Sequence, residues 1–99
     1  MQAFYPPRFE REMGCTEAEW IGWLPRACGG AAIADEPGGV SVAIAGGTLR
    51  LRWQVLTPRR IAMIVLPRLA VSFEFVAVAE AERQRFMRHF DLATQRGGG

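Results

Sequence analysis

The sequence predicts an α+β protein of two layers, a four-stranded antiparallel meander with an N-terminal and a C-terminal helix on one face. Three observations predict it. Residues 49–55 (Leu49-Arg50-Leu51-Arg52-Trp53-Gln54-Val55) and 69–75 (Leu69-Ala70-Val71-Ser72-Phe73-Glu74-Phe75) alternate in polarity, the mark of a strand with one wet face. Residues 61–66 (Ile61-Ala62-Met63-Ile64-Val65-Leu66) are apolar at both parities, which suits a strand covered on both faces. Residues 80–95 carry Phe86, Met87, Phe90 and Ala93 at helical spacing.

Taken in order, residues 1–11 hold Pro6-Pro7 and the aromatics Phe4, Tyr5 and Phe9. The prolines favour extended backbone and bar a regular helix, so this segment reads as an arm laid on the body. Thr16-Glu17-Ala18-Glu19 fits a capping box and opens a helix over 16–28 that presents Trp20, Ile21, Trp23 and Leu24. Pro25 removes the bond to the Ile21 carbonyl and should stop or kink that helix; Gly29-Gly30 ends it. Residues 31–39 read as a loop.

The sheet is expected over 40–76. Val40, Val42 and Ile44 form its first strand, and Gly46-Gly47 supplies a tight turn into the second. Thr57-Pro58-Arg59 should turn into the third strand and Pro67-Arg68 into the fourth. The last helix is expected over 80–96. Its acids come early and its arginines late, as the helix dipole prefers, with Glu80–Arg83 and Glu82–Arg85 at i,i+3 and Gly97 as the cap.

Burial then assembles the layers. Val40, Val42, Ile44, Leu49, Leu51, Trp53, Val55, Val71, Phe73 and Phe75 share the face under the helices. Ser41, Ala43, Arg50, Arg52, Gln54, Ser72 and Glu74 share the wet face. Whichever register the third strand takes, it shows aliphatic side chains to that wet face. Either the N-terminal arm or a second subunit must cover them.

Length and composition bound the function classes. Ninety-nine residues suit one domain, 1–99, which hides roughly two-thirds of its unfolded surface. An apolar share of 49% is that of a folded protein. No apolar run approaches the roughly 20 residues of a membrane span, and residues 1–12 lack a signal-peptide core. The chain is therefore expected in the cytoplasm and off the membrane. The formal charge is +2, and all twelve basic residues are arginine, with no lysine and no asparagine. Selection for bidentate anion contacts would favour arginine over lysine but would not remove asparagine. Losing both points to the codon usage of a GC-rich, bacterial genome. Cys15 and Cys28 flank the first helix, whose twelve intervening residues span roughly 18 Å, against a bridge limit near 7 Å. They are expected as separate thiols.

Little in the sequence carries chemistry. Cys15, Cys28, His89 and Asp91 are the only metal-type set and lack the paired spacing of a zinc site. His89 and Asp91 stand two apart on a helix and face different ways. Nucleophile-elbow, phosphate-loop and dinucleotide patterns are absent. No catalytic residue, cofactor or metal is expected. Arg50, Arg52, Arg59 and Arg60 are the candidate polyanion contacts, with Arg68 placed at the opposite end of the sheet. A nucleic-acid sheet reader would interleave aromatics with them, whereas Trp53, Phe73 and Phe75 have the opposite parity. Trp20 and Trp23 spread around the first helix. They belong either to a helix sandwiched between sheet and arm or to a partner surface, together with Met63 and Ile64. The expectation is a non-enzymatic protein-interaction or assembly module, a homodimer or the partner of another protein. Nucleic-acid binding is the alternative, and a small-molecule enzyme near Cys15 or His89 the third reading.

Overall fold

The computed structural model describes residues 4–98. In chain order its elements are β1 (Arg8–Met13), α1 (Glu17–Ala27), β2 (Ile33–Glu36), β3 (Gly39–Ile44), β4 (Gly47–Ile61), β5 (Ile64–Val76) and α2 (Glu80–Gly98). The α+β class and the antiparallel sheet are as expected, but the sheet has five strands rather than four, in the order β1-β5-β4-β3-β2. Strands β2 to β5 run as a meander. The chain enters at β1 on one edge and crosses through α1 to β2 on the other.

The extra strands lie where an arm and a loop were expected. The arm becomes strand at Arg8, because Phe9 and Met13 alternate with Arg8, Glu10 and Glu12 and pair in register with Phe73 and Leu69 of β5. Residues 33–36 pair with β3, Ile33 opposite Val42 and Glu36 opposite Gly39. Within 40–76 there are three strands rather than four. No turn forms at Thr57-Pro58-Arg59; β4 passes through it with a bulge between Leu56 and Arg59, a place where a strand tolerates proline. Pro67-Arg68 lies inside β5. The reversal comes at Ala62-Met63, between the paired residues Ile61 and Ile64, in the middle of the expected third strand. The β3–β4 turn also sits one residue early, at Ala45-Gly46, with φ of 43° and 83°. Positive φ at both central residues matches the tight hairpin turn whose twist suits the flanking strands.

Helix α1 carries the expected capping box. The Glu19 N–H donates to Thr16 Oγ1 at 3.1 Å and the Thr16 N–H donates to Glu19 Oε1 at 2.9 Å. The helix runs through Pro25 to Ala27, since Ile21 and Pro25 are both exposed and water can meet the freed carbonyl. Helix α2 begins at Glu80 as expected and extends to Gly98.

The core lies between the helices and one sheet face. Leu49, Leu51, Val71 and Phe73 meet Trp20, Leu24, Met87 and Phe90. Phe90 meets both Trp20 and Phe73 edge-on, at centroid distances of 5.8 and 5.5 Å, and Phe9 stacks on Phe73 at 4.6 Å. Both thiols are free and buried at the ends of α1.

Candidate functional site

Two features remain once the core is accounted for: an apolar ribbon at the far end of the β4–β5 hairpin and a cleft between β1 and α2.

The ribbon follows from unequal strand lengths. Strand β3 leaves β4 at Arg52, and β1 leaves β5 at Leu69. Residues 54–61 and 64–68 therefore continue as two strands with no further neighbour in the sheet among the described residues. Eight residues at about 3.3 Å each give the ribbon a length near 26 Å, consistent with principal extents of 46 × 30 × 21 Å. Cross-strand partners share a face, so Leu56, Ile61, Ile64 and Leu66 lie on one side with Arg59 and Arg68, and Arg60 and Val65 lie on the other. Met63 is 96% exposed and Ile64 58%; Ile61, Val65, Leu66 and Val55 are exposed too. The reading of 61–66 as a strand covered on both faces is thus overturned. The run is apolar at both parities because it forms a tip and both of its shoulders.

The N-terminal arm lies elsewhere. The Tyr5 amide donates to Gln84 Oε1 at 3.0 Å, and the Tyr5 carbonyl accepts from Gln84 Nε2 at 2.9 Å and Arg83 Nε at 2.8 Å. Tyr5 is therefore held on α2, and the Pro7 carbonyl accepts from the Phe75 N–H of β5 at 2.7 Å; residues 1–3 of the expected arm lie outside the described residues. Arg83, expected beside Glu80, is instead turned inward and buried, also donating to the Val78 carbonyl. Glu82–Arg85 does form, at 2.7 Å.

Between Glu36 and Glu74 the chain has five arginines and no acidic residue. Counter-charge for four of them arrives from other strands. Arg50 Nε and Arg52 Nη2 each lie 3.7 Å from Glu36 Oε1 of β2. Arg59 and Arg68 converge on Glu12 of β1, at 3.7 and 2.9 Å. Arg68 is thus not at the opposite end of the sheet from Arg59; without the expected turns the two lie on one ribbon face. Arg60 alone of the five has no ion pair among the described residues. Glu74 lies opposite Arg50 as expected, but its ion pair is with Arg8 at 2.7 Å, and that hydrogen bond and charge hold its carboxyl below the usual range.

Trp20 and Trp23 separate. Trp20 is wholly buried, so it offers nothing to a partner; Trp23 is half-buried against the core, and Ile21 is exposed. Of the expected partner surface, Met63 stands almost fully in the open and Ile64 is more than half exposed.

The cleft, about 430 Å³, is lined by Tyr5, Arg11, Met13, Arg88, Asp91 and Leu92 among others. Arg11 faces the helix layer, in line with Phe9 and Met13, with its guanidinium 5.1 Å from the Phe73 ring centre and 5.4 Å from that of Phe9. Its Nη1 donates to Asp91 Oδ1 at 2.7 Å, while the Tyr5 hydroxyl donates to Asp91 Oδ2 at 2.5 Å. Burial and the Asp91 carboxylate push the Tyr5 phenol up to about 12, so it stays a neutral donor. Sequence reasoning missed this cluster. A basic residue at an inward position of the 8–13 alternation was its one signal.

Neither thiol is poised for chemistry. Burial pushes Cys28 up to about 11, and burial with the Glu19 charge pushes Cys15 up to about 11; a thiol at that level is a weak nucleophile near neutrality. The His89 ring nitrogen Nε2 lies 3.0 Å from the Arg26 carbonyl and ties α2 to the end of α1. Among the described residues no group of histidine, cysteine and acidic side chains could hold a metal, and no helix is long and apolar enough to cross a membrane. No protein-family model matches the sequence, and no curated protein matches it.

Proposed function

We propose that this chain is a non-catalytic protein-interaction module that docks through the β4–β5 ribbon and that its partner is a second copy of itself. The ribbon carries this reading. It places Leu56, Ile61, Met63, Ile64 and Leu66 beyond the body, and a two-stranded hairpin gains little stability from standing alone in water. Contiguous apolar surface of that kind is normally covered by a partner. The described part of the arm, which could have covered it, lies instead against α2 at Tyr5 and along β5 from Pro7 onward.

A second copy has to approach against some like charge. Glu12 of the same chain offsets only one of the two charges of Arg59 and Arg68, and Arg60 has no ion pair among the described residues, so salt screening and the apolar contact must outweigh the remaining repulsion between ribbons. Pro58, Pro67 and the bulge break the regularity of both free edges, which disfavours edge-to-edge strand addition. Contact is therefore through the apolar faces. One such face against another buries less than the roughly 1,200 Å² of a standard interface, so the dimer is weak and concentration-dependent.

Sedimentation velocity over a wide concentration series tests this. The wild type should shift from monomer to dimer, and Ile64→Asp should remain monomeric throughout. A wild type that stays monomeric at the highest concentration overturns the proposal. Should the chain instead capture single-stranded nucleic acid with a steep salt dependence, lost on replacing Arg50, Arg52, Arg59 and Arg60, the polyanion reading takes its place.

A further inference from the structure

The cleft between β1 and the last turns of α2 is separate from the ribbon, and its charges do not cancel. Four charged side chains line it: Arg11, Glu12, Arg88 and Asp91. Asp91 is already satisfied, since one oxygen accepts from Arg11 and the other from the Tyr5 hydroxyl. Glu12 is drawn to the other side of the sheet, where it meets Arg59 and Arg68. Arg88 has no ion pair among the described residues, so the cleft keeps one uncompensated guanidinium at its rim. Met13, Leu92 and the body of Tyr5 supply apolar wall, and Gly14 adds no side chain at the β1 end. The volume of about 430 Å³ lies within the roughly 300–1,000 Å³ of small-molecule sites.

From this arrangement we infer that the cleft binds a small amphiphilic monoanion, a carboxylate on a short apolar body. A single guanidinium fork matches one carboxylate with two parallel hydrogen bonds. One unpaired positive charge balances one negative charge, which favours a carboxylate over a phosphate dianion. The neutral Tyr5 phenol adds no negative charge to oppose it, and the apolar wall takes up the ligand's body. This inference does not depend on self-association.

Octanoate is the probe, with octanol and octylammonium as controls of equal chain length, followed by ¹H–¹⁵N correlation spectra. Octanoate alone should produce saturable shifts at the amides of Met13, Gly14, Arg88 and Leu92. Arg88→Gln, at an exposed position, should keep the folded spectrum and weaken octanoate binding by about tenfold, the factor that 1.4 kcal/mol carries. Arg85→Gln, which alters an arginine paired with Glu82 outside the cleft, should leave it unchanged. The inference is overturned if octanoate fails to saturate, if octanol or octylammonium acts equally, or if Arg88→Gln binds as the wild type does. Shifts confined to residues 56–66 would also overturn it, because they would place the aliphatic chain on the ribbon.

Discussion

At its near end the β4–β5 hairpin sets Leu51 opposite Phe73 and Trp53 opposite Val71, beneath two helices and flanked by β3 and β1. At its far end the same two strands set Ile61 opposite Ile64, with both side chains more than half exposed. The near half alternates in polarity because one of its faces is buried and the other wet. The far half has no buried face to impose a period, so its apolar residues fall at both parities. Hydrophobic side chains thus meet two fates in one hairpin: in the near half they are buried and drive folding, and in the far half they stay exposed. Stability should therefore respond sharply to changes in one half and hardly at all to changes in the other.

The largest effect should come from Phe73→Ala. This side chain is fully buried between Phe9, Phe90 and the Arg11 guanidinium, and its loss should cost about 3–5 kcal/mol in urea unfolding. A cost below about 1 kcal/mol would mean that the near half is not the core. Tyr5→Phe comes next. It removes the hydroxyl that donates to Asp91 and should cost about 1.5–3 kcal/mol, the range for a hydrogen bond to a charged group. The same denaturation curve would show whether the arm is part of the cooperative body.

Alkaline pH gives a smaller and graded effect. Cys15, Cys28 and Tyr5 hold their protons more tightly folded than unfolded, the thiols to about 11 and the phenol to about 12. Their contribution is complete below pH 9 and is lost as pH rises to 11 for the thiols and from 10 to 12 for Tyr5. Within those windows the slope approaches 1.4 kcal/mol per pH unit for each group. Cys15→Ala with Cys28→Ala should flatten the fall between pH 9 and 11. The smallest effect on stability belongs to Ile64→Asp, which should change monomer unfolding by less than about 0.5 kcal/mol while abolishing the dimer. A large loss of monomer stability there would erase the distinction between the two halves.

Much of the near half was legible in sequence. The alternation of 49–55 and 69–75 assigned Leu49, Leu51, Val71, Phe73 and Phe75 to the inner face, where they are buried. The Thr16–Glu19 box was legible because its bonds span three residues. Strand β2 was not, since four residues with one large apolar side chain carry no period. The hairpin's true turn was also hidden. Pro58 and Pro67 look like turn formers, and Ala62 does not, yet Ala62 takes φ of 54° and the prolines sit within strands. The candidate sites were only partly visible. Met63 and Ile64 were singled out for the right exposure but the wrong reason. Trp20 is a core residue, and the Tyr5–Asp91–Arg11 cluster joins positions up to 86 residues apart.

What the sequence by itself determined is what local rules control: the class of the fold, the start of both helices, the inner face of the central strands and the surplus of apolar side chains at 61–66. Period and capping act over a few residues, so they can be read along the chain. Only the tertiary structure decided which strands neighbour one another. That choice set where β4 and β5 lose their flanks and become a free ribbon. It set which arginines meet Glu12 and Glu36, and it left Arg88 with no ion pair among the described residues at the mouth of a cleft. These outcomes depend on contacts between distant segments, and the energy that fixes them is shared across the whole core.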